Sequence, residues 1–142
     1  MTPLVIDASI AVKWFIPESH SVNALRLLDV GCELLAPDLI FAEFGNVVWK
    51  KWMRKELERE VISPLLADLG RMRIRIVPTA ALVDTAAAIA ISYRRSFYDS
   101  MYLALADAVQ GRMVTADGKL CNALRDTPLA GRLLWIEDAL TM

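Results

Sequence analysis

The feature that most limits how this chain can fold is a regular alternation of short apolar runs with helix-like segments. Parallel strands need long crossover connections, which are usually helices, so the alternation predicts a parallel sheet with helices on both faces. We therefore expect an α/β protein, a three-layer α/β/α sandwich around a parallel central sheet, formed as one domain over residues 1–142. The predicted strands are residues 4–6, 32–37, 73–78, 113–115 and 132–136.

The helices are predicted from apolar side chains at helical spacing and from residues that favour helix ends. Asp38, Thr79 and Asp117 each precede such a segment and can cap its N-terminus, whereas Gly31 and Gly111 stand where helix C-caps are expected. The predicted helices are residues 9–15, 21–30, 39–55, 60–72 (with Pro64 favouring a start nearer residue 63), 79–93 and 96–111, followed by a short helix after Asp117.

Composition and charge exclude several classes of protein. Hydrophobic residues make up 56% of the chain, above the roughly 45–50% of an average domain, so we expect some of the excess in an interface. The longest apolar stretches, such as residues 86–91, fall far short of the roughly 18 residues of a membrane span, and no secretory leader is recognised. A cytoplasmic protein is expected. Because the net charge is −1, any surface that binds nucleic acid must be local.

Two carboxylates follow predicted strands at the point where each strand ends. Asp7 comes directly after the first strand, and Asp117 follows the fourth. In open parallel sheets, ligands bind beyond the carboxyl ends of the strands, near a switch in strand order. If the first and fourth strands are neighbours, both carboxylates face one crevice.

Two further carboxylates have surroundings too apolar for ordinary surface charges. Glu43 is embedded in "LIFAEFGNVVW", and Asp99 opens the segment "YDSMYLALA". A carboxylate in such a place is costly unless it is paired or coordinated. Each acidic residue also has an ordinary explanation. Asp99 and Asp117 resemble helix N-caps, Asp7 can accept hydrogen bonds from the next helix, and Glu43 can pair with a basic side chain.

Several carboxylates that converge without a cation repel one another and raise each other's pKa values, and a bound divalent metal resolves that conflict. The candidate ligands are all hard oxygens, because Cys32 and Cys121 are far apart and no His cluster exists. Oxygen ligands favour Mg²⁺ or Mn²⁺ over Zn²⁺. Hydrolysis of phosphodiesters is the natural chemistry of such a site.

Four segments carry a family resemblance: "VIDASIAVKWFIPE", "LLAPDLIFAEFGNVVWKK", "FYDSMYLALA" and "VTADGKL". In order and spacing they resemble the PIN-domain ribonucleases, specifically the VapC toxins of toxin-antitoxin pairs, over residues 4–120. The resemblance implies an α/β/α sandwich around a parallel sheet and a metal-dependent endoribonuclease. It also implies a VapB-type antitoxin, whose C-terminal segment lies in a groove near the active site, and a homodimer.

The resemblance carries roles onto single residues of this chain. Asp7 matches the aspartate after the first strand, Glu43 the glutamate of "AE", Asp99 that of "YD" and Asp117 that of "TAD". These four are the implied catalytic metal ligands. Polar support is implied for Ser9, Asn46 and Thr115. Gly118 departs from the pattern, since many relatives carry a polar residue after "TAD", and substrate contact there is in doubt.

The implied mechanism places one or two Mg²⁺ ions among the carboxylates, where a water is activated for in-line attack on an RNA phosphodiester. Cleavage of this kind leaves a 5′-phosphate and a 3′-hydroxyl. The alternative is a non-catalytic PIN-fold binding module that acts in a protein or repressor complex. The complete set of four carboxylates favours the enzyme.

Basic residues near the acidic motifs are candidates for contacts with the RNA backbone. Lys50 and Lys51 follow Glu43 at a helix end, where such a run is more often a solvated face. The other candidates are Lys13, Arg94, Arg95 and Lys119. For the antitoxin groove, the hypothetical walls are Trp14, Phe15, Trp49 and Trp52, although core packing is the default for such residues.

Overall fold

The computed structural model of the chain describes residues 1–141. Among these residues, no helix is long and apolar enough to cross a membrane. The strands are β1 (Leu4–Ile6), β2 (Leu34–Pro37), β3 (Arg75–Val77), β4 (Arg112–Thr115) and β5 (Leu133–Trp135). The α-helices are α1 (Ala8–Phe15), α2 (Ser21–Arg26), α3 (Leu39–Met53), α4 (Ile62–Gly70), α5 (Val83–Tyr93), α6 (Phe97–Ala108) and α7 (Gly118–Leu124).

The five strands form one parallel sheet in the order β3-β2-β1-β4-β5. In the centre, Leu4 of β1 lies opposite Leu34 of β2 on one side and Arg112 of β4 on the other. The chain order reverses between β1 and β4, which is the switch point where open parallel sheets bind ligands. The predicted parallel sheet is confirmed, and the first and fourth strands are neighbours, which is the condition under which Asp7 and Asp117 face one crevice.

Hydrophobic cores cover both faces of the sheet. Leu4 and Ile6 contribute to the core beneath α1, α2 and α3, whereas Val5 contributes to the core beneath α5, α6 and α7. All three side chains are fully buried, which explains why β1 reads as an unbroken apolar run rather than an alternating one. Burying each stabilises the fold by about 1.5–3 kcal/mol, so a slip in register is unfavourable. The predicted three-layer sandwich is confirmed.

Four predicted helices end earlier than their patterns suggest; α4 ends at Gly70 rather than residue 72, and α6 at Ala108 rather than residue 111. After α2, the Leu28 and Asp29 amides donate to carbonyls only three residues back, so the expected extension to residue 30 is a series of tight turns. After α3, Lys55 takes a left-handed φ of 62° and the Glu56 amide donates to the Lys51 carbonyl, 2.9 Å away. This closing motif ends the helix at Met53 rather than at residue 55.

Three predicted N-caps are wrong: Asp38, Thr79 and Asp99 do not cap the helices predicted to follow them. The Asp38 carboxylate makes no capping bond to α3; it accepts a hydrogen bond from the Thr79 amide at 2.9 Å. Thr79 itself starts a 3₁₀ turn, and α5 begins only at Val83. Asp99 is the third residue of α6, whose cap is the Ser96 hydroxyl. Asp7 and Asp117 do cap the helices that follow them.

Candidate active site

A crevice of about 680 Å³ lies at the carboxyl ends of β1 and β4. The four carboxylates singled out from the sequence all line it, although they lie up to 110 residues apart along the chain. Their three proposed supporting residues line the same crevice. The seven residues are Asp7, Ser9, Glu43, Asn46, Asp99, Thr115 and Asp117.

Asp7 joins β1 to α1 and is held by two hydrogen bonds. Its Oδ1 atom accepts from the Ile10 amide at 2.9 Å and from the Ser9 hydroxyl at 2.8 Å. The ordinary reading of Asp7 as a helix cap is therefore correct, and it does not exclude a second role. Within residues 1–141, no hydrogen bond engages Oδ2. That oxygen is available for a ligand in the crevice.

Asp117 repeats this arrangement after β4. Its Oδ1 atom accepts from the Lys119 amide at 2.9 Å and from the Leu120 amide at 3.3 Å, which caps α7. The Asp117 amide in turn donates to the Thr115 hydroxyl at 3.0 Å. Thr115 therefore fixes the backbone turn on which the carboxylate stands.

The cap predicts different stabilities for two substitutions of Asp117. Alanine removes the acceptor and should lower the free energy of unfolding by about 1 kcal/mol, whereas asparagine keeps an acceptor and should cost less. Thermal unfolding of both variants without metal checks this. Equal melting temperatures for the two variants would contradict the cap as a stabilising contact.

Glu43 and Asp99 reach the crevice from helices on opposite faces of the sheet. Glu43 precedes the fully buried Phe44 in α3, so core packing fixes the helix that carries it. Asp99 lies in the first turn of α6. Its amide donates a 3.0 Å hydrogen bond to the hydroxyl of Ser96, the uncharged residue that caps the helix. Among the described residues, no ion pair neutralises Asp7, Glu43, Asp99 or Asp117.

Burial, assisted by the charges of neighbouring carboxylates, raises the pKa of three carboxyl groups. Burial raises the pKa of Asp7 from 3.8 to about 6, and the charges of Glu43 and Asp99 add to the rise against the opposing hydrogen bonds. Burial also raises the pKa of Glu43, with a further contribution from Asp99, while the adjacent Tyr102 hydroxyl opposes the rise. The pKa of Asp99 is raised by burial and by Asp117, while Ser96 and Arg95 oppose the rise. The folded protein therefore holds these groups in an environment that favours added positive charge.

A hydrated divalent cation fits this donor set. The available ligands are carboxylate oxygens, which suit Mg²⁺ or Mn²⁺. Within residues 1–141, no three His, Cys, Asp or Glu side chains are grouped closely enough to hold an ion directly between them. Mg²⁺ does not require such a cage, since it keeps several waters and binds through one or two carboxylates together with substrate phosphate.

Tyr102 is a crevice residue that the sequence reading did not single out. Its side chain is 1% exposed, and its hydroxyl is buried without a well-aligned hydrogen-bond partner in the described structure. The Glu43 carboxylate lies beside it, so that burial and Glu43 together raise the Tyr102 pKa. Tyr102 follows Asp99 by three positions in α6, and this spacing places both on one helix face. This spacing from Asp99 is the sequence signal that could have identified Tyr102.

Because the Tyr102 hydroxyl has no well-aligned partner among the described residues, Tyr102→Phe should weaken metal binding without lowering the stability of the fold. Loss of a buried hydroxyl without a partner should leave the melting temperature unchanged or higher. The hydroxyl nevertheless lies beside the Glu43 carboxylate and can orient it toward a cation, so its loss should weaken Mg²⁺ binding by about 10-fold. Titration calorimetry on the variant and the parent checks both parts. An unchanged Mg²⁺ affinity would show that Tyr102 has no part in metal binding.

The predicted basic contacts divide into three groups. Lys50 is exposed and lines the crevice, and Lys51 lines an adjoining cleft. Lys13 also lines the crevice, but it is only 7% exposed, because α1 packs against α3. Its ammonium pairs with Glu18 at 3.2 Å. The remaining candidates do not line the crevice; they are Arg94, Arg95 and Lys119.

The four aromatic residues proposed as groove walls differ in their burial. Trp14 is buried, and its indole donates to the Ala24 carbonyl at 2.8 Å, while Phe15 stacks edge-on against Phe44 in the core. Trp14 therefore belongs to the core and is not available as a groove wall, whereas Phe15 is only partly buried and its place in the groove stays a prediction. Trp49 and Trp52 remain 50% and 40% exposed on α3.

Comparison with known proteins places this architecture in a family. The profile of the PIN domain matches residues 4–124, which span the sheet up to β4 and all four carboxylates. The chain belongs to the PIN-domain family. In sequence it is similar to Ribonuclease VapC3 of Pyrobaculum aerophilum, with 31% identity over 121 residues that cover 84% of this chain and 92% of that protein.

Two solved structures share the fold at lower identity. PAE2754 from Pyrobaculum aerophilum superimposes with a TM-score of 0.70 and 21% identity, covering 99% of this chain and 88% of that one. VapBC2 from Rickettsia felis, solved with a DNA fragment from its promoter, gives a TM-score of 0.65 and 17% identity, with 93% and 97% of the chains covered. These likenesses support the parallel-sheet architecture.

Proposed function

We propose that this protein is a metal-dependent endoribonuclease and the toxin of a VapBC-type toxin-antitoxin pair. The observation that carries the proposal is the convergence of four carboxylates in one crevice, none of which forms an ion pair among the described residues. The similarity to Ribonuclease VapC3 supports RNA as the substrate. The match to a solved VapBC complex supports an antitoxin as the partner.

In this proposal Asp7, Glu43, Asp99 and Asp117 hold one or two Mg²⁺ or Mn²⁺ ions. When bound, the cation supplies positive charge that stabilises the phosphodiester as negative charge develops and makes nearby water more acidic. Ser9 orients Asp7 through the hydrogen bond to Oδ1, and Tyr102 lies against Glu43. Asn46 lines the same wall as Glu43, where its amide can bind ribose or phosphate oxygens.

Among the residues that the structure describes, no histidine lines the crevice, so side chains of other types must position the water and the substrate. The single histidine, His20, is engaged elsewhere, with its Nε2 3.3 Å from Glu137 and its ring edge-on to Trp135. The exposed Lys50 at the crevice edge can hold a phosphate without blocking the carboxylates.

Two partner surfaces belong to the proposal. The exposed Trp49 and Trp52 on α3 offer apolar anchors for an amphipathic antitoxin segment. A homodimer accounts for apolar side chains elsewhere on the surface, among them Ile91, which is 80% exposed.

RNA cleavage by the purified protein tests the proposal. Structured and messenger RNA pools should be cut in Mg²⁺ or Mn²⁺, with 5′-phosphate and 3′-hydroxyl ends, and excess EDTA should stop the reaction. Cleavage that proceeds equally well in EDTA would refute metal dependence. Mg²⁺ binding without cleavage of any pool would instead support a non-catalytic PIN-fold module in a protein or repressor complex.

A further inference from the structure

A second cleft adjoins the carboxylate crevice along the side formed by α1 and α3. It has a volume of about 250 Å³, and we call it the basic cleft after its charged lining. Its charged residues are Lys13, Glu18, Lys50, Lys51 and Arg54. Ser9, Lys13, Val47 and Lys50 line both spaces, so the basic cleft and the crevice form one continuous depression.

The basic cleft has the opposite charge to the crevice. Its four cations exceed its single carboxylate by three positive charges. Glu18 contacts two of those cations, Lys13 at 3.2 Å and Lys51 at 3.7 Å. Lys50 and Arg54 are exposed and form no ion pair within residues 1–141, so their charges are available to an anion.

Lys13 lies in the wall between the two spaces. A buried ammonium is costly unless it is paired, and Glu18 is its ion-pair partner in the described structure. Glu18 is itself partly exposed, with 29% of its side chain accessible. An anion that enters the basic cleft therefore meets Lys50 and Arg54 directly, and it competes with Glu18 for Lys13 and Lys51.

We infer that the basic cleft binds a phosphodiester of the RNA strand adjacent to the bond cut in the crevice. This inference rests on the proposed function. A strand that places one phosphate over the carboxylates must continue through an opening of the crevice, and the basic cleft is a continuous opening with the complementary charge. Its volume equals that of about eight water molecules, enough for a phosphate and part of a ribose.

RNA binding measured in excess EDTA tests the cleft separately from cleavage. Fluorescence anisotropy of a labelled single-stranded RNA, repeated over a salt series, gives Kd and its salt dependence. Arg54→Ala and Lys50→Ala should each raise Kd by about 3–10-fold and lower the salt slope by about 0.7. Both residues are exposed, so their truncation leaves the core intact. Arg59→Ala is the matched control, since Arg59 is an exposed arginine outside the basic cleft.

Glu18→Gln should act in the opposite direction. It frees Lys13 and Lys51 and should lower Kd by about 2–5-fold, whereas Glu58→Gln outside the cleft should change nothing. A melting curve accompanies this variant, because Lys13 loses its buried partner. If the variant does not fold, the Arg54 and Lys50 variants still decide the question.

The inference is overturned if Arg54→Ala and Arg59→Ala give the same Kd and salt slope. It is also overturned if Arg54→Ala weakens binding of a polyglutamate peptide as much as binding of RNA, because the cleft would then be a docking site for an acidic protein segment. Arg54-dependent RNA binding without cleavage in Mg²⁺ would support the basic cleft and count against the proposed ribonuclease activity.

Discussion

Asp7→Asn should lower the rate of RNA cleavage by more than about 100-fold while making the protein more stable. Substitutions of groups that merely support a metal ligand already cost about 10–100-fold, so loss of a ligand should cost at least as much. Asparagine is as good a helix N-cap as aspartate, and it can accept the same hydrogen bond from the Ile10 amide. The fold should therefore survive the change.

The gain in stability follows from the raised pKa of Asp7. Well below pH 3.8 the carboxyl group is protonated in both folded and unfolded chains, and it makes no difference to stability. As pH rises from 3.8 to about 6, the unfolded chain releases this proton before the folded one, so the protein loses stability across that window. The rise in pKa corresponds to about 3 kcal/mol at neutral pH. Asp7→Asn removes this cost and should raise the melting temperature by roughly 5–10 °C at pH 7.5.

Thermal unfolding at pH 4 and pH 7.5, next to cleavage assays, checks both effects. Asp84→Asn is the control, because Asp84 is exposed in the first turn of α5, outside the crevice. It should leave the rate unchanged and should not raise the melting temperature, since it loses only the first-turn carboxylate, which contributes about 0.3–1 kcal/mol to a helix. An Asp7→Asn variant that melts at a lower temperature, or that still cuts RNA at the parental rate, would contradict the site.

Mg²⁺ should stabilise the folded protein strongly at pH 8 and weakly at pH 5. A ligand at 100 times its dissociation constant contributes about 2.7 kcal/mol, which for a chain of this length raises the melting temperature by roughly 5–10 °C. Near pH 5 the proton on Asp7 competes with the cation, because the pKa of Asp7 is about 6. Mg²⁺ affinity should therefore fall as pH decreases through 6.

Melting curves with and without Mg²⁺ at both pH values measure this effect. Asp7→Asn should lose most of the Mg²⁺-dependent shift at pH 8, whereas Asp84→Asn should keep it. A shift of equal size at pH 5 and pH 8, or one that persists in Asp7→Asn, would place the bound cation elsewhere on the protein.

Two carboxylates of the site were accessible to sequence reasoning because their signals are local. Asp7 and Asp117 each stand between a strand and a helix, and each is an N-cap in the structure. Glu43 and Asp99 depend on tertiary structure, since they meet only when α3 and α6 pack on opposite faces of one sheet. The family resemblance supplied that long-range information; apolar surroundings alone indicated only that both carboxylates were unusual.

The errors of sequence reasoning arose where a distant partner changed a local preference. Asp38 has the right residue type and position for a cap, but the Thr79 amide, 41 residues away, takes its carboxylate. Lys13 resembles a surface lysine in sequence, yet packing of α1 against α3 buries it beside Glu18. Neither partner can be identified from the neighbouring residues, since only the folded chain brings them together.

The most direct test of the central claim, that four dispersed carboxylates form one metal-dependent site that cuts RNA, is the initial rate of RNA cleavage in saturating Mg²⁺ for four neutralised variants. The variants are Asp7→Asn, Glu43→Gln, Asp99→Asn and Asp117→Asn, measured beside Asp84→Asn. Each of the four should fall by more than about 100-fold, and the combination of Asp7→Asn with Asp99→Asn should cost little more than either alone, because the residues act as a unit. Near-normal cleavage by any one of the four, or an equal loss in Asp84→Asn, would contradict a single site.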